Sequence, residues 1–302
     1  MTKTALILGA NGRFGRAAMA AFTDAGWQTT ALMRPGKAQG RPNVVEADAS
    51  DASALVKAAK GFDVIVNALN PPYDKWAEML PSITEATIAA ARASGATLLV
   101  PGNVYNYGQN MPEMLSVGTP QIARDGKGRL RVEMENTLRT ASDIRVIILR
   151  GGDYIERRKT GNWFDSMIMN KVDKGIVTYP GPLDVVHAWA YLPDMARAAV
   201  GLCEIRETLP RFADIPFGGF VLTGAELVSL AEEAVGSGLK IRRTPWVLLS
   251  LLGRFVPVVR EVVAMRYLWN RPHRLDNSAL ESLLPEFRPT APEKAIRGSL
   301  TL

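Results

Sequence analysis

Residues 4–15, TALILGANGRFG, set five mostly apolar residues ahead of glycines at positions 9, 12 and 15. Thr4–Leu8 has the composition of a buried strand, and residues 13–25 follow with the apolar spacing of an amphipathic helix. Strand, glycine turn and helix together form a phosphate cradle. Gly9 lets the chain turn tightly, and Gly12 removes a side chain where a pyrophosphate must approach the backbone. Gly15 lets the helix close on the strand, and the N–H groups at the helix start face the anion. Asn11, Arg13 and Phe14 lie within the same loop. The spacing is G-x-x-G-x-x-G rather than G-x-G-x-x-G, so its weight comes from its setting between strand and helix.

The pattern continues outward from this unit. Gln28–Met33 and Val44–Glu46 read as strands, then residues 51–59 as a helix and 63–67 as a strand. Residues 79–94 are helical and close at Gly95, 97–100 form a fifth strand, 127–140 a helix and 144–149 a sixth strand. Strands alternating with helices of this length predict a doubly wound, Rossmann-type parallel α/β sheet over residues 1–150. Beyond Arg150 the pattern loosens. A helix is expected over 162–171, a strand at Ile176–Tyr179, a helix over 195–204 opened by Leu192-Pro193-Asp194, and a strand over 220–222. Thr223-Gly224-Ala225-Glu226 has capping-box spacing ahead of a helix over 227–235. The remainder is mostly helical. Residues 151–302 are therefore expected to be a small substrate lobe woven into the core, returning to it near 176–204.

Bulk composition narrows the function classes. The chain has 302 residues, 47% hydrophobic and 22% charged, the balance of a globular protein with a large core. One cysteine, Cys203, excludes an internal disulfide framework and fits a reducing, cytoplasmic setting. With two histidines besides, there is little from which to build a zinc site. The net charge is +6, which is either a scattered basic surface or an attraction for polyanionic ligands, a phosphorylated cofactor included. No dense basic run interleaved with aromatics points to nucleic acid. The N-terminal apolar run is too short for a secretory signal and is spent on the first strand. Residues 246–259, WVLLSLLGRFVPVV, are too few for a membrane span, which needs roughly 20. A buried or interfacial helix is expected there.

In a dinucleotide fold the end of strand two faces the adenosine ribose. An acidic residue there would accept from a 2′-hydroxyl, and an arginine would pair with a 2′-phosphate. That position holds Arg34, with Lys37 nearby and no acid, and Arg13 is placed to reach the same phosphate. NADP is therefore expected over NAD, the alternative being that these are solvated loop cations. Asp48 sits either beside the adenine or as a helix cap. Asn67 and Asn70 serve either a ribose or the turn backbone.

The glycine loop, the length and several later segments resemble the short-chain dehydrogenase/reductase superfamily, specifically its extended and atypical branches (epimerase/dehydratase-like and NmrA-like proteins). The resemblance implies that Ala68 and Leu69 belong to the loop passing under the cofactor pyrophosphate and ribose. It also implies a serine after strand five and a Tyr-x-x-x-Lys pair on the next helix. Here the serine position is Pro101, in Pro101-Gly102-Asn103-Val104-Tyr105-Asn106-Tyr107-Gly108. The best registration of the helix puts Lys127 at the tyrosine position and Arg131 at the lysine position. No tyrosine in the chain has a lysine four residues on. Two readings remain. In one, a substituted site turns over a small carbonyl or alcohol: Lys127 is the cation or proton donor, Arg131 holds the ribose, and Tyr105, Tyr107 or Asn103 gives a hydrogen bond. In the other, the protein binds NADP(H) without turnover, as a sensor or scaffold.

Arg150-Gly151-Gly152-Asp153-Tyr154 resembles the family turn that borders the nicotinamide. His187 is expected to be structural and Asp194 to be a helix N-terminal residue. The aromatic and basic residues Trp246, Arg266, Tyr267, Trp269, Arg271, His273 and Arg274 are expected to line a substrate pocket or to form an oligomer face, such as that of a homodimer.

Overall fold

A computed structural model of the chain describes residues 2–38, 40, 42–124 and 126–300. The first part runs β1 (Thr4–Leu8), α1 (Arg13–Asp24), β2 (Gln28–Met33), β3 (Val44–Glu46), α2 (Ala52–Ala58), β4 (Val64–Asn67), α3 (Trp76–Ser94) and β5 (Thr97–Gly102). It continues with β6 (Met114–Leu115), α4 (Gly126–Thr140) and β7 (Val146–Arg150). The second part holds β8 (Asp153–Ile155), β9 (Ile176–Tyr179), β10 (Val186–Tyr191), α5 (Leu192–Glu204), β11 (Phe212–Pro216), β12 (Phe220–Thr223) and α6 (Gly224–Val235). It ends with β13 (Lys240–Arg243), α7 (Trp246–Leu252), α8 (Pro257–Ala264), β14 (Arg274–Leu275), α9 (Ser278–Leu283) and α10 (Pro292–Leu300).

Among the described residues the main sheet has seven parallel strands in the order β11-β7-β5-β4-β1-β2-β3. Side chains alternate across it. In β1, Ala5 and Ile7 pack with Ala18 and Phe22 of α1 and Met195 and Ala199 of α5, whereas Leu6 and Leu8 pack with Leu55 of α2 and Leu80 of α3. Both faces are covered, which is why the strands read as continuous apolar runs rather than alternating ones.

The strand that rejoins the sheet differs from the sequence expectation. It is β11, Phe212–Pro216, paired in register from Phe212↔Val146 to Pro216↔Arg150. Asp214 and Pro216 hide it from a propensity reading, yet an edge strand tolerates a proline because only one side must be hydrogen-bonded. Strand β9, at the expected place of return, pairs instead with β13, and β10 pairs with β8 and β12 in a separate three-stranded sheet. Of the helix expected over 162–171, only one π-helical turn at Phe164–Ile168 forms. The expected single helix over 246–259 is broken at Gly253 into α7 and α8. No described helix is long and apolar enough to cross a membrane.

Candidate functional site

The glycine turn is built by close approach. Gly9 has φ +72°, and a Cβ there would lie 2.8 Å from the Ala68 carbonyl oxygen; one on Gly15 would lie 2.1 Å from the Gly9 oxygen. Gly12 N donates to Gly9 O at 2.8 Å, and Gly12 precedes α1 without any side-chain cap. The first N–H groups of α1 therefore have no partner within the helix, and the loop carrying them lines the main cavity. An anion's oxygens fit there, and a side chain in place of either glycine does not.

That cavity has a volume of about 760 Å³. It extends from the glycine loop past the β4 and β5 exits to α4 and the turn after β7, the carboxyl-end location that doubly wound sheets use for ligands. Of the residues singled out in sequence, Gly9, Asn11, Gly12, Arg13, Phe14, Asn67, Ala68, Leu69, Asn70, Pro101, Asn103, Tyr105 and Arg131 line it, as does the turn after β7. Gly15 lies beneath the turn as packing. Arg34 and Asp48 are exposed beyond the lining, close enough to each other for the Arg34 charge to help hold the Asp48 carboxyl low, after the hydrogen bonds from Ser50. The N-cap of α2 is Asp51, which accepts from Ser53 N and Ala54 N; Asp48 shapes the preceding turn.

Two arginines sit elsewhere than their expected partners. Arg13 does not turn towards Arg34. Its Nη2 donates to the carbonyls of Thr160 and Gly161 at 3.2 and 2.7 Å, clasping the second lobe across the cavity. Arg131 is buried, its guanidinium 4.5 Å from the Trp76 ring centroid, with Nη1 on Met134 Sδ at 3.7 Å and Nε without a partner. Burial pulls its pKa down, against the pull of Glu135, but an arginine keeps its charge.

Lys127 is absent from the lining. It is buried, its Nζ bonds Glu261 of α8, and it lies 4.9 Å from the Tyr73 ring centroid. A buried ammonium needs a carboxylate, and α8 supplies one, so Lys127 is drawn behind Tyr73 rather than towards the cavity. The hydroxyl at the cavity is a pair: Tyr73 OH and Tyr105 OH are 3.2 Å apart. Burial raises the pKa of both phenols, Tyr105 well above the usual value, and pushes Tyr154 up to about 12. All three stay protonated at neutral pH and can donate. Asn103 Oδ1 accepts from Tyr105 N at 3.0 Å, which fixes the loop that aims Tyr105.

The loop is held from below by Arg150. Its Nη1 donates to Asn103 O at 2.6 Å, and its Nη2 bonds Glu135 Oε2 at 2.6 Å and Asp214 Oδ2 at 2.8 Å. Burial works against the guanidinium charge, but the two carboxylates outweigh it and push its pKa upward. On Asp214 burial wins, and its pKa is raised despite Arg150. Charge outweighs burial on Arg150 and burial outweighs charge on Asp214 because one positive charge faces two negative ones. On the far wall Asp153 bonds His187 Nε2 at 2.8 Å, and His187 stacks on Trp269 with centroids 4.1 Å apart. Trp246, Trp269 and His273 are buried in the second lobe, and none of the seven aromatic and basic residues expected at a pocket lines the cavity among the described residues. Trp246 and Trp269 belong to that lobe's core instead, with Tyr267 packed against it, while Arg266 and Arg271 are exposed.

Sequence reasoning missed Tyr73 and Trp76 as lining residues, whereas Gly151, Gly152, Asp153 and Tyr154 line the cavity from the turn after β7 that the sequence had marked. Tyr73 and Trp76 follow Pro71-Pro72 at the exit of β4, and their position after a strand's carboxyl end was the available signal. Among the described residues, no group of three or more His, Cys, Asp or Glu side chains is placed to hold a metal ion.

The NAD(P)H-binding family model matches residues 9–169, just over half of the chain. No curated protein matches it. Solved structures do. A candidate epimerase from Burkholderia cenocepacia J2315 is 16% identical with a TM-score of 0.78, covering 99% of this chain and 97% of that one. The UDP-Glc/GlcNAc 4-epimerase of Campylobacter jejuni is 15% identical with a TM-score of 0.72, covering 99% and 98%. The UDP-glucose 4-epimerase of Bifidobacterium longum, in complex with NAD+ and UDP, is 14% identical with a TM-score of 0.73, covering 99% and 97%. At these identities the likeness carries the fold. The family match, over a region that holds the glycine cradle, shows that the chain belongs to the NAD(P)H-binding family.

Proposed function

We propose that the protein is an NADP-dependent oxidoreductase acting on a small carbonyl or alcohol, with the epimerase or dehydratase that works through transient oxidation as its nearest variant. The observation that carries this reading is the part-buried Tyr73–Tyr105 hydroxyl pair beside Arg131, in the same cavity as the glycine cradle. A bound nicotinamide supplies or takes up the hydride. The remaining work falls to side chains. Tyr105, its oxygen held by Tyr73, gives a proton to the substrate oxygen, and Arg131 sets a positive charge near the cavity where that oxygen becomes negative. Because burial keeps the phenols protonated, donation persists through neutral and mildly alkaline pH. Arg34, exposed after β2, is the partner for a 2′-phosphate.

Calorimetric titration tests the cofactor assignment. NADPH is expected to bind more tightly than NADH, and Arg34→Ala to weaken NADPH by about tenfold, or about 1.4 kcal/mol. Consumption of NADPH on a panel of aldehydes and ketones tests the chemistry. Tyr105→Phe should lower kcat by about 10²–10⁴-fold with cofactor affinity unchanged. One observation favours the alternative of a sensor without turnover: Lys127, at the registered tyrosine position, is tied to Glu261 away from the cavity. Tight NADPH binding with no consumption across the panel supports that alternative.

A further inference from the structure

The hairpin of α7 and α8 turns its apolar side chains the wrong way for a water-facing element. On α7 the inward positions are Trp246, whose Nε1 donates to Pro180 O at 2.7 Å, and the half-buried Leu249. Val247, Leu248, Leu251 and Leu252 share the opposite face at i, i+1, i+4 and i+5, and all are exposed. Val247 is 79% exposed, Leu248 62% and Phe255 85%, so these side chains stand out from the surface rather than line a groove. Val256 and Val258 extend the patch across the turn into α8. A helix that is apolar on its solvent side requires a cover.

Charge identifies the cover. Between Glu233 and Asp276 the chain carries eight lysines and arginines and one acidic residue, Glu261, which is bonded to Lys127. Lys240, Arg242, Arg243, Arg254, Arg260 and Arg266 are exposed on the hairpin and on the segments that flank it in sequence. A second copy of this chain on the same patch would bring the two basic rims together. A planar surface with an apolar interior and anionic headgroups satisfies both features at once: the protruding Leu and Phe side chains enter the acyl boundary and the cations meet the headgroups.

We propose that the α7–α8 hairpin docks the protein on an anionic lipid bilayer. The hairpin is tied to the body of the protein through Trp246 and through α8, which packs against the Tyr73–Lys75 turn. Its α8 edge, Val258 and Val262, forms part of the cavity wall, so docking sets the cavity beside the lipid.

Vesicle flotation tests this without any cofactor or substrate, so its outcome is separate from that of the oxidoreductase assignment. The full chain should float with vesicles of phosphatidylcholine mixed with phosphatidylglycerol and stay behind with phosphatidylcholine alone. Raised salt should weaken binding. Leu248→Ser with Phe255→Ser should abolish flotation, and Arg242→Ser with Arg243→Ser should weaken it about tenfold or more. These side chains project into solvent, and unchanged thermal midpoints will show that the variants fold. Failure of the wild type to float with the anionic vesicles overturns the proposal, as does wild-type flotation by the Leu248/Phe255 variant. A wild-type dimer that the same variant turns into monomer, with no vesicle binding, assigns the patch to a second copy instead.

Discussion

One guanidinium facing two carboxylates in the interior leaves a surplus of negative charge, and Arg150 stands in that arrangement with Glu135 and Asp214. Removing the cation strands both acids. Arg150→Met should cost about 3–5 kcal/mol, the range for breaking a buried ion pair from one side. Asp214→Asn relieves the surplus and keeps an oxygen to accept from Arg150, so it should cost less than about 2 kcal/mol. Urea denaturation of both variants checks the order; an equal cost would mean that neutralising Asp214 relieves no surplus of charge. At this scale the glycines and Arg131 were legible in the sequence, because a turn geometry and a registered helix position mark them. Tyr73 was not. Its role depends on Lys127 and Glu261 meeting behind it from α4 and α8, and no local pattern encodes that meeting.

Helix α6 shows what local chemistry does fix. Thr223 Oγ1 accepts from Glu226 N at 3.2 Å, and Glu226 Oε2 accepts from Thr223 N at 2.7 Å, the reciprocal pair that the four-residue spacing implied. Thr223→Ala should destabilise the protein by about 1 kcal/mol, and Thr223→Ser should recover most of it, read from chemical denaturation midpoints. Both partners lie within four residues of each other, so the sequence carries the whole device. Strand β11 is the contrary case. Phe212–Pro216 is a strand only because β7 offers it an edge, and its Asp214 is tolerated only because Arg150 lies opposite. Strands made by distant partners, β11 and β13 among them, escaped a reading confined to neighbours along the chain, although β9, the partner of β13, was expected. The first β–α alternation did not, because its apolar runs are continuous.

The stability of the whole molecule should fall in acid through His273. Burial, with the neighbouring His187 adding to it, lowers the His273 pKa from 6.5 to about 3. The folded protein keeps this ring neutral while the unfolded chain protonates it, so stability is full above pH 6.5 and is lost as pH falls from there towards 3. At about pH 5 this amounts to about 2 kcal/mol. Thermal midpoints across that range should drop for the wild type, and the drop should be smaller in His273→Phe, whatever that variant's midpoint near neutrality. The two halves of the chain are joined more deeply still. Asp214, on the last strand to enter the main sheet, reaches Arg150, and Arg150 holds the Asn103 carbonyl of the loop that aims Tyr105. During synthesis the ribosome must therefore release residues well past 214 before the Tyr105 loop can be locked. An mRNA truncated near codon 150 would yield a nascent chain with its glycine cradle encoded and the Arg150 clamp missing one of its anchors.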